Sequence, residues 1–229
     1  MVSKPKDWLC EEKLAYAAGI TSLAGIDEAG RGALAGPVVA ACVLLPKNCV
    51  PEGINDSKQL SASQRESCFV SIQRSALGIG VGIIDASTID SVNILRATHM
   101  AMREAYIRLN AHIAIDFVLI DGLPVMPFPV RQKAIVKGDE HVASIAAASI
   151  IAKVTRDRIM VEFDSIYRDY YFAQHKGYGT ELHLRALAKN GPCPIHRESF
   201  KPVARYITVS ESSTPQNLVL QFDDEPQSL

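Results

Sequence analysis

Short apolar runs rich in β-branched residues alternate with longer stretches of helical period. Residues 23–27, 38–45 and 76–84 are β-rich and punctuated by Gly and Pro, and they predict strands near the start of a sheet. The stretch STIDSVNILRATHMAMREAYIRLN, 87–110, sets Ile94, Ala97, Ala101, Ala105 and Ile107 near helical spacing, with Ser87 as candidate cap. FVLID, 117–121, predicts the next strand. A last strand at 133–136 leads into a long helix starting near Asp139, whose small residues Ala143, Ala146, Ala147, Ala148, Ser149 and Ala152 permit close packing on a sheet. A further helix over 180–189 is closed by Asn190 and Gly191. The alternation predicts an α/β chain without internal repeats.

Composition narrows the class. With 48% hydrophobic positions in 229 residues, the chain can bury a full core in one large domain or two small ones. Its apolar runs fall well short of the roughly 20 residues that span a bilayer, and MVSKPKDWLCEEK has no signal-peptide core. Cys10, Cys42, Cys49, Cys68 and Cys193 are odd in number and never spaced as CxxC. A soluble, cytoplasmic protein without membrane contact is expected. The net charge of -1 divides unevenly: Glu211, Asp223, Asp224 and Glu225 lie in a stretch from 210 onward that lacks Lys and Arg, so the preceding body is mildly basic.

Four acids fall at predicted element ends. Asp27 and Glu28 close the first strand, Asp121 closes FVLID before Gly122, and Asp139 stands where the last strand meets its helix. Functional groups collect at strand termini of open α/β sheets. Four carboxylates there would repel unless hard divalent cations such as Mg²⁺ or Mn²⁺ neutralise them through oxygen ligands. Taken alone, an Asp after a strand is most often a turn former, as Asp121, or an N-cap, as Asp139, and Asp27 with Glu28 reads equally as a solvated turn. Gly30, Arg31 and Gly32 add a loop that exposes backbone N–H and C=O groups beside one guanidinium, suited to a sugar-phosphate backbone; a plain tight turn is the alternative.

The segments GIDEAGRGALAGPVVAACVLL, NDSKQLS, LIDG, VKGDEHVASIAAASIIAKVTRDRIM and HKGYGTELHLRALAKNGPCPIHRESFKPV resemble ribonuclease HII, in the same order and from about residue 23 to 204. The resemblance implies an RNase H-like fold: a mixed central β-sheet flanked by helices, with a C-terminal helical portion. It divides the chain into a lead-in helix within 1–22, a catalytic domain over 23–209 and an acidic, disordered tail over 210–229. It implies a monomeric endoribonuclease that acts on RNA/DNA hybrids and on DNA containing ribonucleotides. Cleavage falls 5′ of the ribonucleotide and leaves 3′-hydroxyl and 5′-phosphate.

By the same resemblance, Asp27, Glu28, Asp121 and Asp139 are the catalytic acids and hold two Mg²⁺ or Mn²⁺ ions, Asp27 bridging them. Gly30, Arg31 and Gly32 bind the substrate, Ser57 and Lys58 lie near its backbone, and the Tyr178 ring stacks on the deoxynucleotide sugar after the ribonucleotide. Ala33 departs from the family pattern, which has proline there. Glu140 and His141 read as a solvated helical turn, and His175, His183 and His196 as structural histidines. Two other readings remain at this point: a same-fold, resolvase-like DNA nuclease, which needs no Tyr178, and a non-catalytic hybrid-binding protein. Beyond the family match, Gln216, Leu218 or Val219, Leu220 and Phe222 loosely resemble peptides that dock on sliding clamps, against a tail that is free or folds back on the body.

Overall fold

β1 (Leu23–Ala29), β2 (Val38–Leu44) and β3 (Gly78–Ile84) pair antiparallel, and β4 (Phe117–Asp121) and β5 (Arg131–Ile135) add in parallel beyond β1, giving the order β3-β2-β1-β4-β5. The computed structural model describes residues 7–55 and 60–211. The loop 30–37 returns β1 antiparallel onto β2. Parallel pairing of β1 with β4 requires a crossover, whose helices are α3 (Ala86–Val92) and α4 (Ile94–Asn110).

Strand alternation sorts the side chains into two cores. Ala24 and Ile26 of β1, with Val38, Ala40, Cys42 and Leu44 of β2, pack under α4. Ala29, Ala41 and Val43 face α2 (Ala62–Ser75) and α5 (Ala143–Ile166). Each fully buried aliphatic side chain here contributes roughly 1.5–3 kcal/mol. Contact with α5 is close: a β-carbon at Gly25 would fall 2.1 Å from the Ser144 carbonyl carbon, so only glycine lets the helix approach β1. The start of α5 is fixed from α1 (Cys10–Ala17), where Glu12 Oε1 accepts from the Ser144 amide at 3.0 Å and its hydroxyl at 2.9 Å. Burial raises the Glu12 carboxyl. The expected C-terminal helical portion is α6 (Phe172–His175), α7 (Glu181–Asn190) and α8 (Lys201–Glu211), gathered partly around Met160, Tyr170 and Phe172.

Several expected boundaries move. β1 runs on to Ala29, held by pairing to Val39 of β2, so Asp27 and Glu28 lie inside the strand, just past its last parallel partner Ile26↔Ile120. The helix over 87–110 is two helices, broken at Asn93 with φ 71°, whose side chain caps α4 through the Arg96 amide, while Asp85 rather than Ser87 caps α3. Ala97, Ala101 and Ala105 are buried as expected, but Ile107 is exposed and the apolar face continues through Met102, Tyr106 and Leu109. The last strand begins at Arg131. Asp139 sits in a separate 3-10 turn, Gly138–Glu140, and does not cap α5. α8 reaches Glu211. Ser57, Lys58 and 216–222 lie outside the described residues.

Candidate active site

A cavity of about 250 Å³ at the carboxyl end of β1 and β4 is lined by Asp27, Glu28, Asp121 and Asp139, together with Gly30, Ser149, Lys153, Arg65 and Tyr178. Five separate stretches of chain meet here, 27–30, 65, 121, 139–153 and 178. Alternation turns Asp27 toward α5, where the Ser149 hydroxyl donates to it, and its Oδ1 accepts from the Glu28 amide at 2.7 Å. Asp121 Oδ1 accepts from the amides of Gly138 at 2.7 Å and Asp139 at 3.4 Å, which ties β4 to the turn that carries Asp139.

The acids crowd one another. Burial, then the negative charges of Glu28 and Asp121, raise the Asp27 carboxyl well above its ordinary value. Burial also raises Glu28, opposed by Arg31, whose Nη1 lies 3.2 Å from Glu28 Oε1. Among the described residues no three carboxylate, imidazole or thiolate groups converge tightly enough to hold a metal ion as they stand. The donor set nevertheless fits hard cations: it is all oxygen, and added positive charge would relieve the repulsion.

The glycine-rich loop is half exposed. Arg31 and Gly32 face solvent, and a β-carbon at Gly32 would meet open space. Gly30 is buried with φ +95°, a conformation that favours glycine. Beneath the loop lie two fully buried arginines whose hydrogen-bond acceptors among the described residues are backbone carbonyls. Arg156 donates from Nε to Pro37 O, from Nη1 to Lys176 O and from Nη2 to Ala35 O, at 2.9, 2.9 and 3.0 Å. Arg197 donates to Gly36 O at 3.0 Å and Arg31 O at 2.9 Å. Burial lowers both guanidinium pKa values, Arg197 to about 9.

Tyr178 closes the cavity from the C-terminal side. Its half-buried ring lies 5.3 Å from the Arg156 guanidinium and 5.5 Å from Lys153 Nζ, measured to the centroid. Its segment is stitched to the glycine loop by the Leu34 amide, which donates to Gly177 O at 2.8 Å. Thus Asp27, Glu28, Gly30, Asp121, Asp139 and Tyr178 come together; Arg31 reaches the same place through Glu28. Glu140 instead pairs with Lys137 at 3.3 Å. Sequence reasoning missed Ser149, Lys153, Arg156 and Arg197, although all four lie in the quoted motif segments.

A mixed sheet in this strand order, with acids on β1, on β4 and in the turn before α5, defines a hydrolase of the RNase H-like class. The family model Ribonuclease HII matches residues 24–203. Ribonuclease HII of Geobacter sulfurreducens is 51% identical over 204 residues, covering 89% of this chain and 93% of that one. Ribonuclease H2 of Pyrococcus horikoshii superposes with TM-score 0.67 at 24% identity, over 84% of this chain and 100% of that one. The RNase HII in the PCNA:RNase HII complex from Archaeoglobus fulgidus gives 0.63 at 26% identity, over 85% and 98%. The chain belongs to the ribonuclease HII family and is a ribonuclease H, an endoribonuclease acting on RNA/DNA hybrids. That membership sets aside the resolvase-like and non-catalytic readings.

Proposed function

We propose that the chain also cuts duplex DNA at embedded ribonucleotides, on their 5′ side, leaving 3′-hydroxyl and 5′-phosphate ends. The observation that carries this reading is the lining of one cavity by Asp27, Glu28, Asp121 and Asp139 with Tyr178 at its edge. The four acids would hold Mg²⁺ or Mn²⁺, two ions with substrate bound, which supply a low-pKa water and counter-charge for the phosphate. Gly30, Arg31 and Gly32 offer backbone groups to the 2′-hydroxyl that marks RNA. Tyr178 stacks on the following sugar, where a second 2′-hydroxyl would crowd the ring. Lys153 and Arg65 put positive charge at the cavity wall for the backbone phosphates. Ser57 and Lys58 join them by resemblance alone.

The same proposal makes the protein a cytoplasmic monomer active in ribonucleotide excision repair. All five cysteines are free, which fits a reducing compartment, and among the described residues no helix is long and apolar enough to cross a membrane. The relative found with PCNA favours a second contact: docking of Gln216–Phe222 on a sliding clamp.

The deciding experiment offers the chain three duplexes: one with a single ribonucleotide, one continuous RNA/DNA hybrid and one all-DNA, each with Mg²⁺, Mn²⁺ or EDTA. A nick 5′ of the ribonucleotide that EDTA abolishes is the expected result. Equal cutting of the all-DNA duplex, or metal-independent cutting, overturns the reading.

A further inference from the structure

Three histidines lie buried behind Tyr178, and their hydrogen bonds admit one arrangement of protons. His183 Nδ1 is 3.0 Å from Tyr178 O; a carbonyl only accepts, so Nδ1 carries the hydrogen. His183 Nε2 is then the acceptor in a neutral ring, and it lies 3.0 Å from His196 Nε2, which must donate. His196 Nδ1 in turn accepts from the Cys193 amide at 2.9 Å. The chain therefore runs from the Cys193 amide through His196 and His183 to the Tyr178 carbonyl, each link with one donor and one acceptor. Burial holds both imidazoles neutral, lowering each to about 4.

The surroundings hold the rings still. His175 stacks on His183 with centroids 4.4 Å apart, and Phe172 meets His183 edge-on at 5.5 Å. Tyr178 itself is gripped on both sides of its backbone. Its amide donates to His175 O at 2.9 Å, and its carbonyl also accepts from the Thr180 amide at 2.8 Å. Its ring, by contrast, is half exposed at the cavity, with the Lys153 and Arg156 cations beside it. A polar relay of this length, in a core that aliphatic side chains could fill, fixes orientation more than it adds stability.

We propose that His183 and His196 are positioning residues that aim Tyr178, and so set the preference for a ribonucleotide followed by DNA over one followed by RNA. The proposal rests on the junction-reading role given to Tyr178 above. Neither imidazole touches substrate; they act through the Tyr178 carbonyl.

The test is the ratio of kcat/KM on a single embedded ribonucleotide to that on a continuous RNA/DNA hybrid. Asparagine carries an amide nitrogen as many bonds from Cα as Nδ1, whereas leucine fills similar volume without a donor. His183→Leu is expected to lower the ratio by about tenfold, and His183→Asn to stay within about threefold of the parent. His196→Gln, with an amide at the Nε2 position, and His196→Leu read the same link from its other end if His183→Leu does not fold. In a Tyr178→Ala background His183→Leu should change the ratio no further, because the residue it aims is gone. An unchanged ratio in both leucine variants overturns the proposal, as does a leucine effect that persists without the tyrosine ring. An unchanged ratio in Tyr178→Ala alone overturns instead the junction-reading role on which the proposal stands.

Discussion

Arg156 fills the space that any side chain at Gly30 would need: a β-carbon there would fall 2.0 Å from Arg156 Nε. The positive φ of Gly30 adds backbone strain to that collision. Because Arg156 holds the carbonyls of Ala35, Pro37 and Lys176, it cannot retreat without releasing them. Gly30→Ala is therefore expected to cost about 2–4 kcal/mol of stability and to depress cleavage of every substrate, read by urea unfolding and by initial rates.

For the carboxylates, activity and stability should part. Asp27→Asn or Asp121→Asn is expected to reduce turnover by orders of magnitude, since on the proposed assignment each replaces a charged metal-holding carboxylate with a neutral amide. Asp27→Asn also removes a buried charge crowded by Glu28 and Asp121. Its melting temperature in EDTA at pH 8 should equal or exceed that of the parent, and near-parental turnover in either variant would remove the metal assignment.

Tyr178→Ala should lose most activity on a single embedded ribonucleotide, because the ring proposed to stack on the deoxyribose is gone. Rates on a one-ribonucleotide duplex that match the parent's at saturating metal would sink the stacking role.

The histidine relay gives the fold a pH dependence. With folded values near 4 against an ordinary 6.5, His183 and His196 bind fewer protons folded than unfolded between those limits. The stability they contribute is fully present above pH 6.5 and is lost as pH falls toward 4, on the order of 2–3 kcal/mol for the linked pair. His175, also lowered by burial, faces the same pair, as do Tyr170 and Cys193. Urea midpoints should fall from pH 7 to pH 5, with a shallower slope in His183→Asn.

Since α8 ends at Glu211, a chain stopped there should cleave short duplexes as fast as the full protein. A labelled 212–229 peptide should bind a sliding clamp at micromolar levels, roughly 7–8 kcal/mol; no binding at about 100 µM retires the docking idea.

The site's acids were legible because Asp27 and Glu28 are out of place after an apolar run. Asp139 was ambiguous in sequence, and the fold resolves it: Gly138 O takes the His141 and Val142 amides that a capping Asp139 would accept, and a distant residue, Glu12, takes the Ser144 amide at the start of α5. The break at Asn93 was hidden because one left-handed residue barely disturbs the apolar period around it. The helix α2 went unread because its sequence is mostly polar and only Cys68, Phe69 and Ile72 are buried. Arg156 and Arg197 were beyond reach for another reason: their partners are carbonyls between 20 and 166 positions away, and nothing in the identity of a residue advertises its backbone as an acceptor.

The bond from Arg197 to Arg31 O, together with that from the Arg197 amide to Leu34 O at 2.8 Å, joins nearly the first and last parts of the described chain. A ribosome delivers those parts in order, and contacts of such long sequence separation form late. A half-made chain can already display Asp27, Glu28 and Asp121, yet its glycine loop lacks the guanidinium that holds it. A chain that stops short of Arg197 therefore lacks the donor that holds Arg31 O and Gly36 O of that loop.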